Sequence, residues 1–460
     1  MQTEVAAIEA WLPAWMPTQR WFGDKSSPIA TGTVVVHHVL DDGRLVVGVV
    51  RVRFADDTTP SDYLVVVDQA RRADGTSDPT FLAWLGRLCS GSTSWPGVVE
   101  RTQLSAETVV LDGLDGRPLG VEQSNTSIRY GADWVVKLNR RLSYGPSPEL
   151  ELSALVNRWS GECCAPKVVA ALEITTDRGS ANLCIAAEFI PNQGDGWSFV
   201  LDALRHEANV EHQASEAEGS IEEVIAVAEL TADMHSALTG DPWSPQLAPR
   251  RIDRESADGW ELQTVASLGV TLHLLDAARP RLSGRSQHLA DVVSGAAPII
   301  RRHVGGFQAL VGSRRTRIHG DYHLGQVLRT GSGRYVAIDF DGEPQRSLAA
   351  RRETYSPLRD VAGMMRSLAY AAGTVQAERA ADVDDAWLPA WERTARSAFL
   401  TAYLARLHAN KTDVLPREPE RIRQSLGALE LEKAIYEVAY ELNNRPDWVW
   451  IPLSQLVRMG

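Results

Sequence analysis

Residues 318–344 read IHGDYHLGQVLRTGSGRYVAIDFDGEP, and the fold of the whole chain is decided by how this stretch is understood. Val327, Leu328 and Arg329 spell a short strand, Gly331-Ser332-Gly333 a tight turn, and Tyr335 to Ile338 a returning apolar strand that ends on Asp339. A hairpin of this kind brings Gln326 beside Asp339. Two oxygen donors at its open end can hold Mg²⁺ under the phosphates of a nucleotide, while Asp321, on the loop before, can accept a proton from an attacking hydroxyl. Asp341 and Glu343 follow Asp339 closely, and the cluster suggests a divalent cation with Asp339 as first ligand and Asp341 as second. His319 and His323 flank Asp321; the expected role of both is structural, one bracing the loop through a backbone hydrogen bond and one partly packed. Alone, the segment points to phosphoryl transfer.

Length and composition bound the rest independently. At 460 residues and 44% hydrophobic the chain can bury large cores, and at roughly 150 residues per domain it holds about three units. A net charge of −12 argues against a nucleic-acid surface, since phosphate backbones are held by clustered Lys and Arg. No apolar run reaches the roughly 18 residues that span a bilayer, and Glu4 and Glu9 stand where a secretory leader would be basic and then apolar. Cys89, Cys163, Cys164 and Cys184 lack zinc spacing, and adjacent Cys163-Cys164 is poor disulfide geometry. The expectation is a reduced, cytoplasmic enzyme, a monomer or small homo-oligomer, with neither nucleic acid nor membrane as partner.

Two further regions carry candidate chemistry. Ser124-Asn125-Thr126-Ser127 reads as a loop of small polar residues whose N–H groups and hydroxyls could cover phosphates. Lys137 then sits in the apolar strand text Trp134-Val135-Val136-Lys137-Leu138, where an unpaired ammonium is costly. It needs an anion, either nucleotide phosphates or a Glu of the helix opened by Pro148-Glu149-Leu150-Glu151. Further on, helical text from Ala428 to Glu441 puts Glu430, Lys433 and Glu437 near one face, with Tyr436 and Tyr440 on an adjacent stripe. Sugars are bound by carboxylates and amides that take hydroxyl pairs and by aromatic faces beneath the ring. Gln424, Glu430, Glu437 and Trp448 are accordingly the acceptor candidates, together with Asp321.

The pattern HGD-x-H-x-G-Q followed by IDF[DE]GEP resembles the actinobacterial maltokinases and their relatives the glucosamine kinases, an offshoot of the aminoglycoside phosphotransferases and eukaryotic-like kinases. Further agreement comes from Gln19-Arg20-Trp21-Phe22-Gly23, from Glu122 to Ser127 with Lys137, from Ser356 to Gly363, and from Lys433-Ala434-x-Tyr436-Glu437-x-x-Tyr440-Glu441 with Arg445-Pro446-x-Trp448. The resemblance implies an α+β, bilobal protein-kinase-like fold of the aminoglycoside-phosphotransferase type, with an additional β-rich N-terminal cap domain over residues 1–105. A nucleotide-binding N-lobe at 106–190 and a mainly helical C-lobe at 191–460 would follow. It implies ATP with Mg²⁺, Glu151 as the partner of Lys137, and Glu188, Phe189 and Ile190 as the hinge whose backbone meets the adenine edge. Gln326 stands where broader kinases have Asn, in agreement with maltokinases. Arg359-Asp360 should tie down the catalytic loop.

One departure bears on the acceptor. Where maltokinases tend to carry Tyr-Glu-x-Arg-His-Arg-Pro, this chain has Tyr440-Glu441-Leu442-Asn443-Asn444-Arg445-Pro446. Losing cations beside a carboxylate-rich site suits a cationic acceptor, because an ammonium there would meet less like-charge repulsion. The reading is therefore an ATP-dependent sugar kinase making glucosamine 6-phosphate and ADP. The alternatives are a maltokinase making maltose 1-phosphate, or a pseudokinase or sugar-binding module that has kept the scaffold without the chemistry.

Overall fold

The computed structural model describes the chain except for residues 1, 26, 57–58, 106–107, 121–124, 162, 210–217, 240–246, 283, 344–345, 380–386 and 460. It divides into two compact units, one of residues 1–157 and 166–191, the other of residues 158–165 and 192–460.

The first unit opens with helix α1 (Gln2–Trp15) and an antiparallel sheet in the order β1 (Ile29–Leu40), β2 (Leu45–Phe54), β3 (Ser61–Asp68) and β4 (Ala73–Asp74). Side chains alternate across a strand, and here both faces are apolar. Val46, Val50, Val52, Tyr63 and Val65 join Leu12 and Met16 beside α1, whereas Leu45, Val47, Val49, Leu64 and Val66 belong to a second core on the other face. That second core is completed by helix α2 (Pro79–Ser90) and by a six-stranded sheet. The sheet runs in the order β5-β9-β10-β8-β7-β6, formed by β5 (Val99–Gln103), β6 (Gly116–Pro118), β7 (Asn125–Tyr130), β8 (Trp134–Asn139), β9 (Val168–Thr176) and β10 (Gly179–Glu188). Helix α3 (Pro148–Asn157) lies between β8 and β9 in the chain.

The N-terminal sheet is therefore also tied to the six-stranded sheet. Leu64 N–H donates to the Arg140 carbonyl at 2.7 Å, and Leu142 N–H to the Asp62 carbonyl at 2.9 Å, so β3 is stitched to the segment that leaves β8. Arg51 on β2 bridges Asp62 and Asp177, at 2.8 and 2.7 Å. The physical reason is the two-faced apolar sheet: α1 covers one face only, and the other needs the six-stranded sheet to leave water.

The second unit begins with β11 (Asn192–Asp195), α4 (Gly196–Asn209) and α5 (Glu218–Ala237). There follow β12 (Arg250–Arg251), α6 (Arg254–Ala278), α7 (Gly284–His303) and β13 (Arg314–Arg315), which pairs with β12. The expected hairpin is present as β14 (Val327–Thr330) and β15 (Tyr335–Ala337), with Val327 opposite Ala337, and β11 adds a third strand. The remainder is helical: α8 (Leu348–Arg351), α9 (Leu358–Glu378), α10 (Trp387–Ala409), α11 (Pro419–Asn444) and α12 (Trp450–Met459). From Leu358 to Val375 nearly every residue of α9 is buried, as expected for a helix enclosed on all sides. No helix among the described residues is long and apolar enough to cross a membrane.

Candidate active site

On the second unit the hairpin does what its sequence suggested. Gln326 Nε2 lies 3.3 Å from Asp339 Oδ2, and Ile338 N–H donates to the Gln326 carbonyl at 3.0 Å. Asp339 has φ +63°, a left-handed backbone that costs a non-glycine residue about 1–3 kcal/mol. Such strain persists only where surrounding contacts over-determine it. Carboxylate oxygens of Asp339 and Asp341 come within 4.8 Å of one another, a separation that one divalent cation can bridge. Asp339 and Asp341 thus fit a hard cation by donor type and spacing, with the Gln326 amide beside Asp339. Asp341 also faces Arg351, whose Nη1 is 3.7 Å from its carboxylate.

The loop carrying Asp321 is held from behind. Asp360, at the start of α9 and 2% exposed, accepts from His319 N–H at 2.8 Å and from Gly320 N–H at 2.9 Å. His235 on α5 completes its shell at 3.1 Å and itself meets Tyr403 at 2.8 Å. Burial would raise the Asp360 carboxyl, yet the hydrogen bonds and the His235 ring outweigh it and keep it below the usual carboxylate range. His319 spends its Nε2 on the Ile338 carbonyl at 2.8 Å, the bracing expected of it. His323 Nδ1 accepts from Gly325 N–H at 3.1 Å; burial lowers its pKa, which suits a neutral ring acting as acceptor. Gly320 has φ +85°, so this turn before Asp321 needs a residue without a side chain.

Helix α11 brings the groups that face Asp321. Lys433 Nζ sits 3.8 Å from Asp321 Oδ1 and 2.5 Å from Glu343 Oε1. Burial would lift the Glu343 carboxyl, but Lys433 and Arg346 hold it at about 2; Glu343 and Asp321 in turn raise Lys433 above its ordinary value against its burial. Glu432 pairs with Arg359 at 2.8 Å, and Lys433 lies 5.1 Å from the Tyr436 ring. Glu343, Arg346, Arg359, Glu432, Lys433 and Tyr436 line a depression that reaches Gly320, next to Asp321.

Two expected acceptor acids lie elsewhere. Glu437 pairs with Arg366 of α9 at 2.8 Å, and Glu430 with Arg396 of α10 at 2.7 Å and Gln455 of α12 at 3.3 Å. With about 100° per residue, Glu430 and Glu437 fall within about 20° of each other, some 40–60° around α11 from Lys433. Their stripe meets other helices, and their charges are already neutralised there. Glu437 even has its pKa raised, because burial outweighs Arg366. Gln424 is exposed and bonds Glu420 at 3.0 Å, and Trp448 lies in a short turn, its ring 5.7 Å from Arg445. Neither lines the depression beside Asp321. Sequence reasoning missed Glu432 and gave Lys433 no role; the Leu429-Lys433-Tyr436-Tyr440 spacing was the signal that one face of α11 differs from the Glu430–Glu437 stripe.

On the first unit, Lys137 in β8 stands opposite Ser127 of β7 and Ile185 of β10, and its Nζ lies 2.7 Å from Glu149 Oε2. Glu149, which is 8% exposed, is thus a partner of Lys137 beside the expected Glu151 of the same helix. Asn125, Thr126 and Ser127 form strand β7 rather than a loop, and Ser124 lies outside the described residues, as do Glu122 and Gln123 of the same motif. Directly opposed residues share a face, so Ser127 joins Lys137 while Thr126, opposite the buried Leu138, points the other way. At the expected hinge, Glu188 N–H already donates to the Lys167 carbonyl at 2.9 Å and Phe189 N–H to that of Asp133 at 2.7 Å. Those two donors are spent on the unit's own strands, and a base edge would have to be met by other groups of Glu188–Ile190.

Residues 15–95 match the maltokinase N-terminal cap domain. A glucosamine kinase of Mycolicibacterium smegmatis is 31% identical over 347 residues, covering 74% of this chain and 78% of that protein. Another, from Streptacidiphilus jiangxiensis, is 29% identical over 394 residues, with 84% and 81% covered. A solved glucosamine kinase in complex with glucosamine, ADP and inorganic phosphate superposes with a TM-score of 0.69 at 25% identity, over 92% of this chain and 94% of that one. With a cap domain matched over residues 15–95 and relatives of this reach along its length, the chain belongs to the maltokinase and glucosamine kinase family.

Proposed function

We propose that this protein transfers the γ-phosphate of ATP to the 6-hydroxyl of glucosamine, releasing ADP. The observation that carries the reading is the hairpin end itself, Gln326 against Asp339 with Asp321 on the braced loop before it, in a chain whose relatives are glucosamine kinases. Asp321 would take the proton of the acceptor hydroxyl as the O–P bond forms, and Lys433 would hold the carboxylate in place. Gln326, Asp339 and Asp341 would hold Mg²⁺, which when bound neutralises charge on the transferred phosphoryl group. On the first unit, Lys137, oriented by Glu149, would pair with the nucleotide phosphates, and Ser127 on the same face would add a hydroxyl donor.

The depression beside Asp321 gives the acceptor a mixed lining, with Glu343 and Glu432 already bound to Lys433, Arg346 and Arg359. Selectivity for an ammonium therefore cannot come from Glu430 and Glu437, and would rest on Asp321 and on the exposed neutral amides Asn443 and Asn444 in place of cations. The test is ADP release measured across glucosamine, N-acetylglucosamine, glucose, maltose and an aminoglycoside. Glucosamine should give a kcat/KM above the others by roughly ten- to a hundredfold, the worth of one charge-assisted contact. Maltose as best acceptor would replace the substrate but keep the base and metal assignments; no ADP release on any sugar would leave a catalytically inactive binding module.

A further inference from the structure

Among the described residues of the first unit, one buried cation is not used by the phosphoryl chemistry. Arg140, just past β8, is 1% exposed and 5.0 Å from the Trp21 ring. Its Nη2 donates to Asp74 Oδ2 at 3.0 Å and also to the Thr76 hydroxyl, and its Nε donates to Thr126 Oγ1 at 2.9 Å. Asp74 is held in turn by Trp21, whose indole N–H donates to Oδ2 at 2.7 Å, and by Thr76 N–H at 2.9 Å. A continuous chain thus runs from Trp21 of the Gln-Arg-Trp-Phe-Gly motif, through Asp74 on β4 and Arg140, to Thr126 on β7.

Its end point is informative. Thr126 faces away from Lys137, but it is the immediate neighbour of Asn125 and Ser127, which share the Lys137 face. A guanidinium this buried is costly, and apolar residues of similar volume would often hold two sheets together as well. What an apolar replacement cannot supply is a directional bond from a fixed cation to one hydroxyl of β7. We propose that Arg140 is a positioning residue for the nucleotide: Trp21 and Asp74 hold its guanidinium, and it holds Thr126, and with it Asn125 and Ser127, in register across from Lys137. The N-terminal sheet is then part of the nucleotide-binding apparatus rather than an appended cover. This rests on the ATP-dependent reading above.

The test is calorimetric binding of Mg-ATP to the full-length protein and to three variants, with KM for glucosamine and thermal midpoints measured alongside. Thr126→Val keeps the shape and removes the acceptor, Thr126→Ser keeps the hydroxyl, and Trp21→Phe removes the indole N–H at the far end. Thr126→Val and Trp21→Phe should each weaken ATP by about three- to tenfold, the worth of one hydrogen bond, with KM for glucosamine unchanged. Thr126→Ser should restore parental affinity. The double variant Thr126→Val with Trp21→Phe should be no weaker than the weaker single, because both act along one chain of contacts. ATP affinities unchanged in both singles while midpoints fall, or losses that simply add, would reduce Arg140 to a buried staple and overturn the proposal. A parent protein that binds no ATP would overturn the kinase reading as well, whereas a parent that binds it alongside indistinguishable variants overturns the positioning role alone.

Discussion

Asp321, Lys433 and Glu343 behave as one unit: the ammonium is shared between the proposed base and a carboxylate that is 5% exposed. Asp321→Asn keeps the shape of this triad and removes the proton acceptor. It should lower kcat by about 10²–10⁴-fold while leaving nucleotide affinity near that of the parent. A variant keeping more than about a tenth of parental kcat would place the base elsewhere. Glu343 carries a separate expectation for stability. Its carboxyl is held at about 2 against an ordinary 4.5, so the folded state binds its proton less readily than the unfolded chain does. The stabilisation is fully present above about pH 4.5 and is lost as pH falls towards 2, amounting to about 3 kcal/mol in all. In Glu343→Gln the fall in unfolding free energy between pH 6 and pH 3 should be smaller than in the parent; an equal fall in parent and variant, read from denaturant titrations at the two pH values, would refute this.

Among the elements, α9 is the one against which the catalytic loop is built. Gly363 shows how closely: a Cβ there would lie 2.7 Å from the Tyr322 carbonyl oxygen, a backbone atom that cannot swing aside. In an ordinary helix interior Gly→Ala stabilises by about 1 kcal/mol. Here Gly363→Ala should instead destabilise by about 1–3 kcal/mol and displace the loop, lowering kcat by about ten- to a hundredfold. A more stable variant with parental kcat would show that the loop is not seated on α9. Helix α11 teaches a different lesson. The Glu430–Glu437 periodicity was visible in the text, but which stripe meets the base was not, because Arg366 and Arg396 lie 71 and 34 residues away from the acids they neutralise.

For the molecule as a whole, the N-terminal sheet and the six-stranded sheet share one core, in which Leu64 is 1% exposed. Leu64→Ala should cost about 2–5 kcal/mol. Because that core belongs to both sheets, the loss should appear together in tryptophan fluorescence from the N-terminal region and in ATP binding. Separate transitions, with the N-terminal signal lost first and ATP binding intact, would mean that residues 1–105 are an independent domain after all.

The amino-acid sequence by itself determined what is local: the β14–β15 hairpin, the pairing of Gln326 with Asp339, the acid on the preceding loop, and the need of a strand-borne Lys137 for an anion. These are settled within a few residues by turn chemistry, strand alternation and the cost of an unpaired charge. The resemblance of its motifs to maltokinases and glucosamine kinases was legible for the same reason. Only the tertiary structure decided that Glu149 meets Lys137, which face of β7 carries Thr126, and which stripe of α11 looks at Asp321. Each of those depends on the phase at which a helix or strand is seated against partners distant in sequence, and a slip of one or two residues, invisible in composition and periodicity, reverses the answer.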